Sequence, residues 1–108
     1  MMKTDKANKP LLVINIVGLT PSLLGEHTPN INALVNKGYL AELEGVFPAV
    51  TCTAQATMLT GVLPSEHGIV ANGWYFRELA EIGFWKQSNQ LIQSEQVWDS
   101  LKKVNPEI

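Results

Sequence analysis

Thr51, Cys52, Thr53, His67 and Asn72 are the side chains whose types and spacing could do chemistry, and all lie within Phe47–Asn72, FPAVTCTAQATMLTGVLPSEHGIVAN. Thr51-Cys52-Thr53 follows an extended Phe47–Val50 segment and precedes a helix-like run, Ala54–Thr60, that Gly61 can end in the left-handed conformation. A hydroxyl at such a junction points at the unsatisfied N–H groups of the helix's first turn. An anion is held there with little cost, helped by a helix dipole worth about 0.3–1 kcal/mol at an exposed site. The plainer reading makes Thr51 and Thr53 caps, with Thr53 at the N-cap. A threonine is a weak nucleophile unless a metal or a base lowers its pKa. Cys52 is a rival nucleophile, although a small buried thiol is commoner. Asn72, followed by Gly73, is equally a turn residue.

The surrounding pattern predicts what must position these residues. Pro10 precedes Leu11–Val17, a continuous apolar run rich in β-branched residues that suits a strand buried on both faces. Gly18–Pro21 is a turn, and Pro21 opens a short helix through Leu24 with Thr20 as cap. Thr28-Pro29 starts a helix running to about Asn36, with Ile31, Leu34 and Val35 inward and Gly38 just past its end. Tyr39–Val46 reads as a second strand with Leu40, Leu43 and Val46 buried. Gly61–Trp74 reads as loop, Tyr75–Lys86 is either a helix start or a hairpin, and Ser94–Lys103 is a helix capped by Ser94. Trp74, Tyr75, Phe76, Phe84 and Trp85 either line a pocket or cover the sheet. Strand and helix in alternation predict an α/β domain over residues 10–108 with a mostly parallel sheet flanked by helices. Gly18 and Thr51 would sit at the carboxyl ends of its strands, where ligands of such sheets collect. Residues 1–9 read as a flexible tail.

Phe47-Pro48-x-x-Thr51, then Leu59-Thr60-Gly61-x-x-Pro64-x-x-His67-Gly68-Ile69-Val70-x-Asn72, resembles the type I phosphodiesterase/nucleotide pyrophosphatase family of the alkaline phosphatase superfamily. Leu11–Leu19 and Thr28-Pro29-Asn30-Ile31-x-x-Leu34 resemble its first strand and the helix after it. The resemblance implies a metal-dependent hydrolase of phosphate esters or phosphodiesters. Thr51 would be the nucleophile and a metal ligand, and Asn72 would donate to a phosphoryl oxygen. It implies a divalent metal, Zn²⁺ first, with further ligands beyond Ile108, so that the chain reads as the amino-terminal part of an alkaline-phosphatase-like fold. His67 belongs to a segment that does not ligate metal in the family, which implies a structural hydrogen-bonding role. Three positions depart from the pattern, one being Ala54, which stands where nucleotide-cleaving members often carry asparagine. Cys52 stands where nucleotide-cleaving members carry a stacking aromatic. Val17 replaces a ligating aspartate, which leaves the second metal weakly held or absent. Asn15 shares that strand face one pleat deeper and would need a bulge to substitute.

Composition narrows the class further. A charge of −2, with charged residues at 17%, gives no basic footprint for a nucleic acid polymer or a membrane surface. The single cysteine excludes an internal disulfide framework and fits a reducing, cytoplasmic compartment. Leu11–Leu19 follows three lysines but lacks a small-residue cleavage site, and it falls well short of the roughly 20 residues that span a bilayer. The expected partner is a small phosphorylated substrate. A parallel strand set left uncovered would also make the piece self-associate. The alternatives are a catalytically silent binding protein on the same scaffold, favoured by Val17, and a related phosphonate or sulfate hydrolase.

Overall fold

The computed structural model describes residues 10–86 and 88–107, so the expected tail at 1–9 lies outside the described residues. The chain divides into two compact units, Met1–Glu42 and Leu43–Ile108.

In the first unit, Leu11–Ile16 runs without a hydrogen-bonded neighbour to a turn at Val17–Gly18, where Gly18 takes φ +81°. A single 3₁₀ turn, Pro21–Leu23, follows Thr20. Helix α1 spans Pro29–Lys37, with Pro29 pre-set for its first turn and Thr28 at the N-cap position. The Thr28 hydroxyl does not cap α1. It turns back to the preceding loop, accepting the Gly25 N–H at 2.8 Å and donating to the Gly25 carbonyl at 3.2 Å. Ile31 and Val35 are half-buried, whereas Leu34 is exposed.

The second unit carries the rest of the regular structure. Helix α2 spans Thr51–Thr60 and ends at Gly61, left-handed at φ +72°, whose N–H reaches the Thr57 carbonyl at 2.8 Å. Pro64–His67 forms a single helical turn, α3, closed by a left-handed Gly68. Strands β1 (Gly73–Phe76) and β2 (Glu81–Phe84) pair antiparallel, with Gly73 opposite Phe84 and Trp74 opposite Gly83. Each glycine lies under an aromatic ring of the other strand. A Cβ on Gly73 would clash with Phe84 Cδ1, and one on Gly83 would meet Phe76 Cε2 at 2.7 Å. A 3₁₀ turn, Asn89–Leu91, leads towards helix α4, Val97–Val104. Among the described residues, Ala56 and Ile69 are the buried hydrophobic side chains, joined by buried Thr53, His67 and Gln96.

Several expectations are corrected. The parallel sheet is not there: neither Leu11–Val17 nor Tyr39–Val46 forms a strand, and the sheet among the described residues is the two-stranded antiparallel hairpin. The fold is α/β only in the coarse sense of helices with a small sheet. The physical reason is that β-branched residues supply propensity, whereas a strand exists only through its ladder. Leu11, Leu12, Val13 and Val17 are 78–87% exposed, and Leu43, expected inward, is 79% exposed. The segment Tyr75–Lys86 resolves as hairpin, and its first strand takes in Trp74 from the expected loop. Helix α2 begins at Thr51, not Ala54, with Val50 rather than Thr53 at the N-cap. Helix α4 begins at Val97 with Gln96 at the N-cap, and the carboxylate of Asp99 accepts the Gln96 N–H at 3.3 Å.

Candidate active site

The site is built on the amino end of α2. Thr51 is its first residue, and the first amides of any helix have no partner within it. One of them is satisfied from a distant part of the chain: the Cys52 N–H donates to Asn72 Oδ1 at 2.9 Å. Because a backbone N–H can only donate, this bond fixes the amide of Asn72 with its oxygen on Cys52. The Nδ2 group is left as the donor that can meet an anion. Thr51 is exposed, while Cys52 and Asn72 are half-buried. Asn72 is held in turn by β2, since its carbonyl accepts the Trp85 N–H at 2.8 Å, one rung beyond the Gly73–Phe84 pair.

Beside Thr51 lies a cavity of about 430 Å³. Helix α2 contributes Thr51, Cys52, Gln55 and Leu59 to its wall, the hairpin contributes Trp74 and Trp85, and Trp98 comes from α4. Of the five aromatics left open by the sequence, Trp74 and Trp85 line this cavity. The ring of Phe76 packs 5.3 Å from that of Trp74 and covers Gly83. Lys86, Gln96 and Trp98 also face the cavity, and sequence reasoning missed them. No local signal singled them out, because the hairpin and the start of α4 bring them to the cavity from separate parts of the chain. Lys86 Nζ lies 3.5 Å from a carboxylate oxygen of Glu81, with both side chains about half exposed (47% and 49%). Such a pair is weakly held, so the ammonium can turn to another anion.

His67 is fully buried and stands behind α2. Its Nδ1 accepts the Ile69 N–H at 3.1 Å, which puts the ring proton on Nε2. That nitrogen lies 2.9 Å from Thr57 Oγ1, and the Thr57 hydroxyl passes its own proton to the Thr53 carbonyl at 2.9 Å. The imidazole is therefore neutral, donates once and accepts once. Burial holds its pKa below the usual value, against weaker upward pulls from hydrogen bonding and from Glu66. It acts as a strut between α3 and α2. His27 is exposed beside Glu26 in the first unit.

Among the described residues, no three His, Cys, Asp or Glu side chains come together as a metal site. Thr51 would be a lone ligand, so these residues do not by themselves fit the expected cation, and Val17, in the first unit, has no ligand atom. Thr53 Oγ1 is buried with no hydrogen-bond partner.

The first turn of α2 thus brings together the Thr51 hydroxyl, the side-chain amide of Asn72 and an adjoining, largely apolar cavity. Residues 11–105 match the type I phosphodiesterase / nucleotide pyrophosphatase family, and the chain belongs to it. No curated protein and no solved structure gave a match.

Proposed function

We propose that the protein is a phosphoric ester hydrolase in which Thr51 attacks phosphorus and Asn72 holds a phosphoryl oxygen. Family membership supports the reaction class. The observation that carries the residue assignment is the 2.9 Å bond from Cys52 N–H to Asn72 Oδ1, which brings the amide of Asn72 to the turn that begins with Thr51. In the proposed reaction Thr51 Oγ forms a bond to phosphorus as the bond to the leaving alkoxide breaks. The hydroxyl proton of Thr51 passes through solvent to the departing oxygen; water then attacks phosphorus, the bond to Thr51 Oγ breaks, and a proton from that water restores the hydroxyl. Asn72 Nδ2 donates to the non-bridging oxygen as its charge grows, an oxyanion-hole role. Lys86 can release Glu81 and steady the substrate's negative charge at the cavity mouth. The apolar cavity takes the organic group.

A divalent metal, Zn²⁺ first, stays an expectation from the family: held at Thr51 by ligands that the described residues do not supply, it would lower the pKa of the threonine hydroxyl. Because Val17 offers no carboxylate, we expect at most one metal to bind tightly. The proposed setting is the cytoplasm, with a small phosphorylated substrate as partner rather than a nucleic acid polymer. Among the described residues no helix is long and apolar enough to cross a membrane. A second reading, a silent phosphate-ester-binding protein on the same scaffold, is favoured by Val17.

A screen of chromogenic phosphomonoesters and diesters with metal analysis separates the two readings. Turnover that needs a divalent metal and Thr51 supports the hydrolase. Tight binding of the same esters without turnover, at every metal tested, would leave the binding protein.

A further inference from the structure

Two residues other than glycine take a positive φ among the described residues, Ala80 at +50° and Trp85 at +52°. Ala80 sits in the exposed hairpin turn, where such a conformation is common. Trp85 is different, being a bulky residue on the wall of the cavity beside Thr51. Its N–H makes the rung to Asn72, and the chain bends at Trp85, just past the end of β2. An extended residue here would carry β2 straight on. Instead the chain turns, and Lys86, Ser88, Leu91 and Ile92 all reach the cavity wall.

We infer that Trp85 determines the specificity of the Thr51 site through its left-handed backbone as well as its indole. The corner at Trp85 precedes Lys86, Ser88, Asn89, Leu91 and Ile92, which line the cavity, and the indole adds a flat face. At about 430 Å³ the cavity falls within the range of roughly 300–1,000 Å³ usual for small-molecule sites. Its apolar wall suits phosphate esters that carry a ring-sized apolar group. The inference rests on the hydrolase reading for the place of the phosphoryl group, and it requires no turnover.

The test is equilibrium binding of phenyl phosphate and methyl phosphate to the full chain by calorimetry, in wild type, Trp85→Gly and Trp85→Val. Burying a ring predicts that the wild type prefers phenyl phosphate by about tenfold or more. Glycine adopts positive φ without strain, so Trp85→Gly keeps the corner and loses the indole alone. It should retain about a threefold preference, the remaining wall giving roughly half of the burial term. Valine resists positive φ, so Trp85→Val should lose the preference, read as the ratio of phenyl phosphate to methyl phosphate affinity. If Trp85→Val fails to bind methyl phosphate, Trp85→Ala replaces it and must fall below Trp85→Gly. Equal preference in glycine and valine (or alanine) variants, or none in the wild type, overturns the inference. Preferential binding without hydrolysis would instead overturn the hydrolase reading and leave this one standing.

Discussion

The side-chain oxygen of Asn72 accepts the amide hydrogen of Cys52 at 2.9 Å, tying the loop before β1 to the first turn of α2 across 20 residues of sequence. The bond does two things at once. It satisfies one of the free donors at the start of α2, and it orients the Asn72 Nδ2 group. Asn72→Ala should lower stability by about 1 kcal/mol, the usual cost of losing a helix-end acceptor. Asn72→Asp keeps an acceptor and adds a charge that suits the helix dipole, so it should unfold near the wild-type temperature. Both variants should bind phosphate at least tenfold more weakly, because both lack the donor. Thermal unfolding with phosphate titration checks the pair; wild-type phosphate affinity in Asn72→Asp would remove Asn72 from the site.

His67 makes stability depend on pH. Its pKa in the folded state is lowered by burial, so the unfolded chain takes up the proton first as pH falls. The contribution is fully present above the ordinary histidine value of about 6.5 and is lost as pH drops from there towards the folded pKa. Protonation would also set a proton on Nδ1 against the Ile69 N–H. Denaturant melts at pH 8 and pH 5.5 should show a loss in acid that is absent in His67→Gln.

The relation between sequence and fold depends on distance along the chain. Pro29 at the start of α1 and Gly61 in the left-handed end of α2 were legible because each acts within a turn of its own position. The start of α2 was misread because two threonines both looked like caps, while the acceptor came from Asn72, far along the chain. Leu11–Val17 had the composition of a buried strand, but composition cannot supply a partner strand. Within the site, Thr51 and Asn72 stood out by motif. Lys86, Gln96 and Trp98 became visible only when the corner at Trp85 and the start of α4 brought them to one cavity.

Thr53 carries an avoidable cost. Its hydroxyl is buried without a partner, and an unmade hydrogen bond of this kind costs about 1–3 kcal/mol. Thr53→Val replaces that hydroxyl with a methyl group of similar shape. The variant should gain about 1 kcal/mol, because valine and threonine have about the same helix propensity. A lower unfolding temperature in Thr53→Val would show that the hydroxyl has a partner in solution.

The hairpin turn offers a control for the argument about Trp85. Ala80 holds φ +50° in an exposed turn. A left-handed residue with a Cβ costs roughly 1–2 kcal/mol, and glycine's extra freedom in the unfolded chain returns about 0.4–1 of that. Ala80→Gly should therefore raise stability by up to about 1 kcal/mol and leave phosphate ester binding unchanged, as chemical denaturation and calorimetry would show.

The central claim is that Thr51, rather than the adjoining Cys52, attacks phosphorus. The most direct measurement is hydrolysis of bis(p-nitrophenyl) phosphate by wild type, Thr51→Ala and Cys52→Ser, in the intact protein with divalent metal supplied and folding checked by circular dichroism. The account predicts that Thr51→Ala loses nearly all turnover, by about a thousandfold or more as expected for removing a nucleophile, while Cys52→Ser stays within about threefold of wild type because serine keeps the Cys52 backbone amide on Asn72. Turnover retained in Thr51→Ala and lost in Cys52→Ser would contradict it.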